Sequence, residues 1–197
     1  MTVKKTFRAA RPAPARMIRA LLIPVAVSLS LVTGMAEAAP KGHGEHGGKM
    51  KGVAGSPATA TAKTRTVNVM LYDTYFEPAA IEVTEGETVR FVIVNKGELV
   101  HEFSIGTPGA HKAHAPMMEM MVEHGVLEAD RINQVAMAEM QDKMGHGNHA
   151  EPNSALLEPG KSAEIVWKFP DHARIQYACN VPGHYDAGMV GEFELTH

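Results

Sequence analysis

The sequence predicts an all-β fold, a Greek-key β-sandwich interrupted by a partly helical insertion. Three observations carry that expectation. Apolar and polar residues alternate through two blocks, 65–106 and 154–197, which is the period-two pattern of half-buried strands. Turn residues punctuate both blocks, as at Glu85-Gly86-Glu87, Lys96-Gly97 and Glu158-Pro159-Gly160. Between the blocks, residues 107–153 lose the alternation and are rich in helix formers.

The elements follow in order. Residues 1–38 read as a secretory signal: Lys4, Lys5, Arg8, Arg11, Arg16 and Arg19, then the apolar run Ala20–Val32, then Ala36-Glu37-Ala38 before Ala39. Thirteen apolar residues fall short of the roughly 20 that span a bilayer, so cleavage near Ala38-Ala39 and export to a periplasm are expected, with no membrane segment afterwards. Residues 39–64 are rich in Gly, Ala, Lys and Thr and read as a flexible tail carrying His43, His46 and Met50. That tail is either a solvated linker or a weak metal-collecting arm.

The domain proper is expected over 65–197. Val67, Val69 and Leu71 mark a first strand, and Ile81 and Val83 a second. Val89, Phe91, Ile93 and Asn95 share one face of a third, and His101–Ile105 form a fourth. In the second block Ala163, Ile165, Trp167 and Phe169 alternate with polar neighbours. Ile175, Tyr177 and Cys179 share a face, and Met189–Leu195 close the domain. Seven short strands with such breaks indicate an antiparallel sandwich. The insertion 107–153 is too long for an ordinary loop of that fold.

Composition narrows the function. The 197 residues are 45% hydrophobic and 21% charged, which excludes wholesale disorder. A net charge of −3, falling to −8 without residues 1–38 (13 basic against 21 acidic), argues against nucleic acid as a partner. One Cys excludes an intramolecular disulfide framework and a Cys-only metal cluster. The surplus lies in 11 His and 13 Met, soft and borderline ligands of the kind copper prefers.

The chemistry concentrates in Tyr177–Met189. Cys179, His184 and Met189 stand as C-x4-H-x4-M on the loop joining the last two strands, with Pro182, Gly183 and Gly188 to fold it back. An upstream His on a neighbouring strand would complete the set, and His101 is placed for it. Two imidazoles, a thiolate and a weak axial thioether are the ligands of a mononuclear blue-copper centre, which holds Cu(I) or Cu(II) with little rearrangement.

These residues resemble the cupredoxin family. The resemblance covers 65–106 and 154–197 and rests on Asn95, His101-x-Phe103, Tyr177-x-Cys179 and the Cys179/His184/Met189 loop. It implies one type 1 copper ion held by His101, Cys179, His184 and Met189, with His184 presenting its ring edge at the surface to pass electrons. The His/Met-rich insertion and tail look most like the CopI-type periplasmic cupredoxins associated with copper tolerance. One departure stands out: many cupredoxins carry Asn after the first His, and here that residue is Glu102.

The insertion holds seven Met (117, 118, 120, 121, 137, 140, 144) and five His (111, 114, 124, 146, 149). If helical, Met117, Met120, Met121 and His124 share one face, and Met137, Met140 and Met144 share another. Thioether clusters would add weaker Cu(I) sites, whereas the same Met residues serve equally as pliable packing. Met144, His146 and His149 lie beside glycines and suit transient copper binding. His172 and His197 read as ordinary surface histidines.

Three function classes follow: a copper-tolerance protein, a soluble electron carrier serving a periplasmic redox partner, and a copper enzyme. The enzyme is disfavoured. Cys179 has Ala178 and Asn180 as neighbours, and the sequence offers one sandwich and no three-His site for a substrate-binding copper. Twelve His and Met in one insertion favour tolerance, with copper ions or a copper-trafficking protein as partners.

Overall fold

The computed structural model describes residues 54–144 and 151–197. The leader 1–38, tail residues His43, His46 and Met50, His146 and His149, and the Met144 side chain lie outside the described residues. The chain divides into two units, Met1–Glu45 and His46–His197, and every described residue belongs to the second.

In chain order the described elements are β1 (Ser56–Pro57), β2 (Arg65–Tyr72), β3 (Tyr75–Glu77), β4 (Ala80–Thr84), β5 (Thr88–Asn95) and β6 (His101–Gly106). Then come α1 (Pro108–Glu123), α2 (Gln134–Met144), β7 (Ser154–Leu157), β8 (Ser162–Lys168), β9 (Gln176–Ala178) and β10 (Val190–Thr196). One sheet runs β1-β8-β5-β2-β3 and the other β4-β10-β9-β6-β7. The all-β sandwich with a helical insertion is therefore the observed architecture.

Two features differ from the sequence expectation. The sheets are mixed: β2 pairs with β5, and β4 with β10, in parallel. Alternation reports that one face of a strand is buried and carries no information on strand direction. The segment expected to be tail as far as residue 64 contributes a two-residue strand, Ser56–Pro57, to the first sheet. There β1 pairs with β8, and Trp167 Nε1 donates to the Ala54 carbonyl at 3.2 Å. Its only sequence signal is two paired residues, too short for any periodicity.

The core lies between the sheets. Phe91 packs against Phe103, Phe169 and Phe193, and Phe76 meets Phe103 and Tyr177 edge-on. Val69, Leu71, Val89, Ile93, Ile165, Trp167 and Ile175 complete it on the predicted faces.

The two central strands of the second sheet depart from alternation. Every residue of β6 and β9 is buried, because helix α1 covers the outer face. Thr107 caps α1 by accepting the Ala110 N–H at 3.2 Å, and Pro108 stands in its first turn. The helix begins at Pro108, the second residue of the insertion, and runs through Pro116. Its inward stripe is His111, His114, Met118 and Met121, with His111, Met118 and Met121 buried. Met118, Met121 and Met140 pack with Val100, Val126 and Leu127 in a second apolar cluster, and Val181 of the Cys–His loop rests against it. His124 is exposed. The insertion thus lies on the strands that carry the candidate ligands.

Candidate metal centre

His101 opens β6, Cys179 follows β9 directly, and Met189 immediately precedes β10. β6 and β9 are antiparallel neighbours, with Ser104 opposite Ala178, so their ends deliver His101 and Cys179 to one place. The loop between Cys179 and Met189 is closed by its own backbone. The His184 N–H donates to Val181 O, the Met189 N–H to His184 O, and the Cys179 N–H to Met189 O, at 2.9–3.1 Å. Gly183 (φ +85°) and Gly188 (φ +96°) supply the left-handed residues that this fold-back needs.

The result is a cluster of His101, Cys179 and His184 whose ligand atoms all lie within 4.8 Å of one another. Cys179 Sγ stands 3.4 Å from His184 Nδ1 and 3.9 Å from His101 Nδ1. Nitrogen and sulfur bound to one ion at roughly 2.0 and 2.3 Å lie roughly 3.5–3.7 Å apart for angles between tetrahedral and trigonal. The observed spacings bracket that value, so the three donors fit a single ion. Met189 is fully buried in the same core cluster as Cys179, its backbone bound to both loop ligands.

The electrostatics favour a neutral imidazole at His184 and a protonated thiol at Cys179 in the absence of metal. Burial pushes the Cys179 thiol up to about 12, against backbone N–H donors from Glu102 and Val181. At neutral pH the thiol therefore keeps its proton until a cation takes its place. Burial, helped by His101, also holds His184 below its usual value, with Asp73 opposing. His101 and Cys179 are inaccessible, whereas His184 is half-buried.

One supporting residue has no signal in local sequence. Asp73, at the turn after β2, lies with Oδ1 2.8 Å from His101 Nε2. An Nε2–H donated to this carboxylate leaves Nδ1 as the lone-pair atom facing Cys179. Asp73 also accepts the backbone N–H groups of Glu98 and Leu99. The His101 contact comes first among the interactions holding its carboxyl below the usual range. Asn95 secures the same loop, donating to Leu99 O and Leu157 O at 2.8 Å and accepting from the Gly97 N–H.

Glu102 replaces the usual Asn and still ties the ligand segments together. Its backbone N–H donates to Cys179 Sγ at 3.3 Å. Its carboxylate accepts from the Asn180 backbone and side chain at 3.2 and 2.7 Å, and from Ser154 Oγ. Across from these, His114 Nε2 of α1 lies 3.3 Å from Glu102 Oε1, at ion-pair distance but without hydrogen-bond alignment. Burial raises the Glu102 carboxyl, but His114, Ser154 and Asn180 outweigh it and hold it below its ordinary value.

A family model described as a cupredoxin-like domain matches residues 52–123. The copper-resistant cuproprotein CopI of Pseudomonas aeruginosa PAO1 is 43% identical over 193 residues, covering 92% of this chain and 98% of that protein. This chain belongs to the CopI family of cupredoxins. Two further CopI proteins match along nearly their whole length. That of Rubrivivax gelatinosus is 38% identical over 90% of this chain and 96% of its own, and that of Vibrio cholerae is 28% identical over 91% and 100%. The CopI matches thus span the insertion as well as both halves of the sandwich.

Proposed function

We propose that this CopI-family protein is an exported, periplasmic copper-binding protein of copper tolerance, with one type 1 copper held by His101, Cys179, His184 and Met189. The observation that carries this reading is the convergence of two imidazole Nδ1 atoms on one buried thiol, at spacings that fit a single ion. When bound, copper would supply a one-electron couple and would occupy the Cys179 sulfur, which loses its proton to solvent and is then shielded from oxidation. His101 is oriented by Asp73, Cys179 receives the Glu102 N–H, and the sandwich excludes water from both. The 43% identity to a copper-resistant cuproprotein supports tolerance as the role.

Electron transfer to a periplasmic redox partner is the second reading. Its support is that His184 is the one member of the three-donor cluster reaching the surface, beside exposed Pro182 and Gly183. Among the described residues no helix is long and apolar enough to cross a membrane. The extra Met residues divide by position. Met118, Met121 and Met140 are packed in the apolar cluster, which favours a structural role for them. Additional, weaker Cu(I) binding is better sought at Met144, His146, His149 and the tail.

Cys179→Ser provides the test. The oxidised parent should bind one copper tightly and show intense visible thiolate–copper absorption, and the variant should show none. A coloured Cys179→Ser protein would overturn the ligand assignment. Deletion of the gene should lower the copper concentration that cells survive; unchanged survival with slowed reduction of a partner would favour the carrier.

A further inference from the structure

Far from the metal centre, three further side chains converge. β10 joins Met189 to His197, on the order of 25 Å for extended backbone, so its far end lies at the other pole of the sandwich. There Glu85, in the β4–β5 turn, meets His172 of the β8–β9 loop and His197. His172 Nδ1 lies 3.0 Å from Glu85 Oε1, and His197 Nδ1 lies 3.0 Å from Glu85 Oε2. The three ligand atoms all fall within 4.8 Å of one another. The sequence expectation of two ordinary surface histidines is thereby replaced by a paired arrangement.

We propose that Glu85, His172 and His197 form a second, solvent-open metal site for a divalent cation of the Cu(II) or Zn(II) class. Donors held roughly 2.0–2.2 Å from one ion at tetrahedral angles stand roughly 3.3–3.6 Å apart. The two 3.0 Å separations here need only a slight expansion to admit an ion. Each imidazole turns the same ring nitrogen toward a different oxygen of one carboxylate.

The frame is built in advance. Glu85 is largely buried, and its Oε1 also accepts the His172 backbone N–H at 2.8 Å. Its own N–H donates to Thr196 O at 2.9 Å, fixing the turn to the end of β10. His172 adopts φ +52°, a left-handed conformation that non-glycine residues seldom take. The carboxylate of Asp171 lies by Gly86 of the same turn, 3.7 Å from where a Cβ there would stand, and adds negative charge.

The donor set selects the cation. Two imidazoles and a carboxylate suit borderline Cu(II) and Zn(II); they lack the sulfur that favours Cu(I) and the all-oxygen shell of Mg²⁺ or Ca²⁺. Both rings are about three-quarters exposed, at 76% and 78%, so water fills the remaining positions and exchange with solvent is unobstructed. The site differs from the His101/Cys179/His184 centre in both donors and access.

The experiment is a titration of the full-length protein, labelled with ¹⁵N at histidine, with Zn(II) as a redox-inert probe. The ring signals of His172 and His197 should move together and saturate at a lower Zn(II) concentration than exposed His124 requires. Glu85→Gln should weaken that response about tenfold or more while leaving the His124 response unchanged. Co-titration of His172 and His197 with His124, or midpoints unaltered by Glu85→Gln, would overturn the site. His101 and His184 report separately, so the outcome is independent of the copper reading at Cys179.

Discussion

At Gly97 a Cβ would stand 2.3 Å from Asp73 Oδ1 and 2.9 Å from His101 Nε2, inside the contact between those two side chains. Glycine here provides space where any side chain would intrude. Asp73 is short and already engaged by two backbone N–H groups, so it has little room to yield. Gly97→Ala should therefore separate Asp73 from His101 and free the ring to rotate. Partners that orient a metal-bound His are typically worth 10–100-fold in affinity. A chelator competition assay should accordingly show copper affinity about tenfold or more weaker in Gly97→Ala; a change within about twofold would mean that Asp73 does not orient His101. None of this was legible in the sequence, because Asp73 lies 28 residues from His101 and nothing local marks it. Cys179, His184 and Met189 were legible, since one loop holds them at regular spacing and its glycines announce the fold-back. Glu102 was visible only as a departure, and the structure gives that departure a role in Asn180, Ser154 and His114.

At the scale of elements, helix α1 explains both what the sequence disclosed and what it concealed. β2, β5 and β8 each bury one face, so alternation located them and their inward residues. β6 and β9 are buried on both sides, and alternation had to fail there. Met117, Met118, Met120 and Met121 span only about 160° of the helix, and the face expected through Met117, Met120, Met121 and His124 lies about a quarter turn from the buried one through His111, Met118 and Met121. Pro116 further disguised the true start at Pro108. The docking of α1 also carries a pH dependence. Glu102 raises His114 above its ordinary value, outweighing desolvation, and Glu151 adds to the effect. Buried His111, which desolvation lowers, is the other titratable group near this contact. A raised His contributes stability that is fully present below about 6.5 and is lost as pH rises through its folded pKa. The depressed Glu102 contributes above about 4.3 and loses that contribution as pH falls through its own lowered value. The contact is firmest between those limits. Thermal unfolding of the metal-free protein should show the parent's advantage over His114→Gln narrowing as pH rises above about 6.5. An advantage constant through that rise would remove the ion pair from the account.

For the whole molecule, the arrangement places a buried donor set of two imidazoles and a thiol at one pole of the sandwich. An exposed set of two imidazoles and a carboxylate stands at the other. Metal should affect stability very differently at the two. The aromatic core around Phe91 closes without an ion, and Cys179 rests within it as a neutral thiol, so the metal-free protein should fold. An ion that binds only the folded state then adds stability by mass action, about 4 kcal/mol when free metal exceeds the dissociation constant a thousandfold. A domain of this size gains about 3–5 °C per kcal/mol, so copper should raise the unfolding midpoint by on the order of 10 °C. Cys179→Ser should unfold within a few degrees of the metal-free parent and lose nearly all of the copper-induced rise. Glu85→Gln should keep that rise, because the surface cluster is open to water and binds too weakly to contribute much at the same free copper concentration. A copper-induced rise that survives Cys179→Ser but disappears in Glu85→Gln would reverse the ranking of the two sites. Differential scanning calorimetry of the three proteins, with and without copper, therefore measures how the molecule divides its metal affinity between buried sulfur and exposed carboxylate.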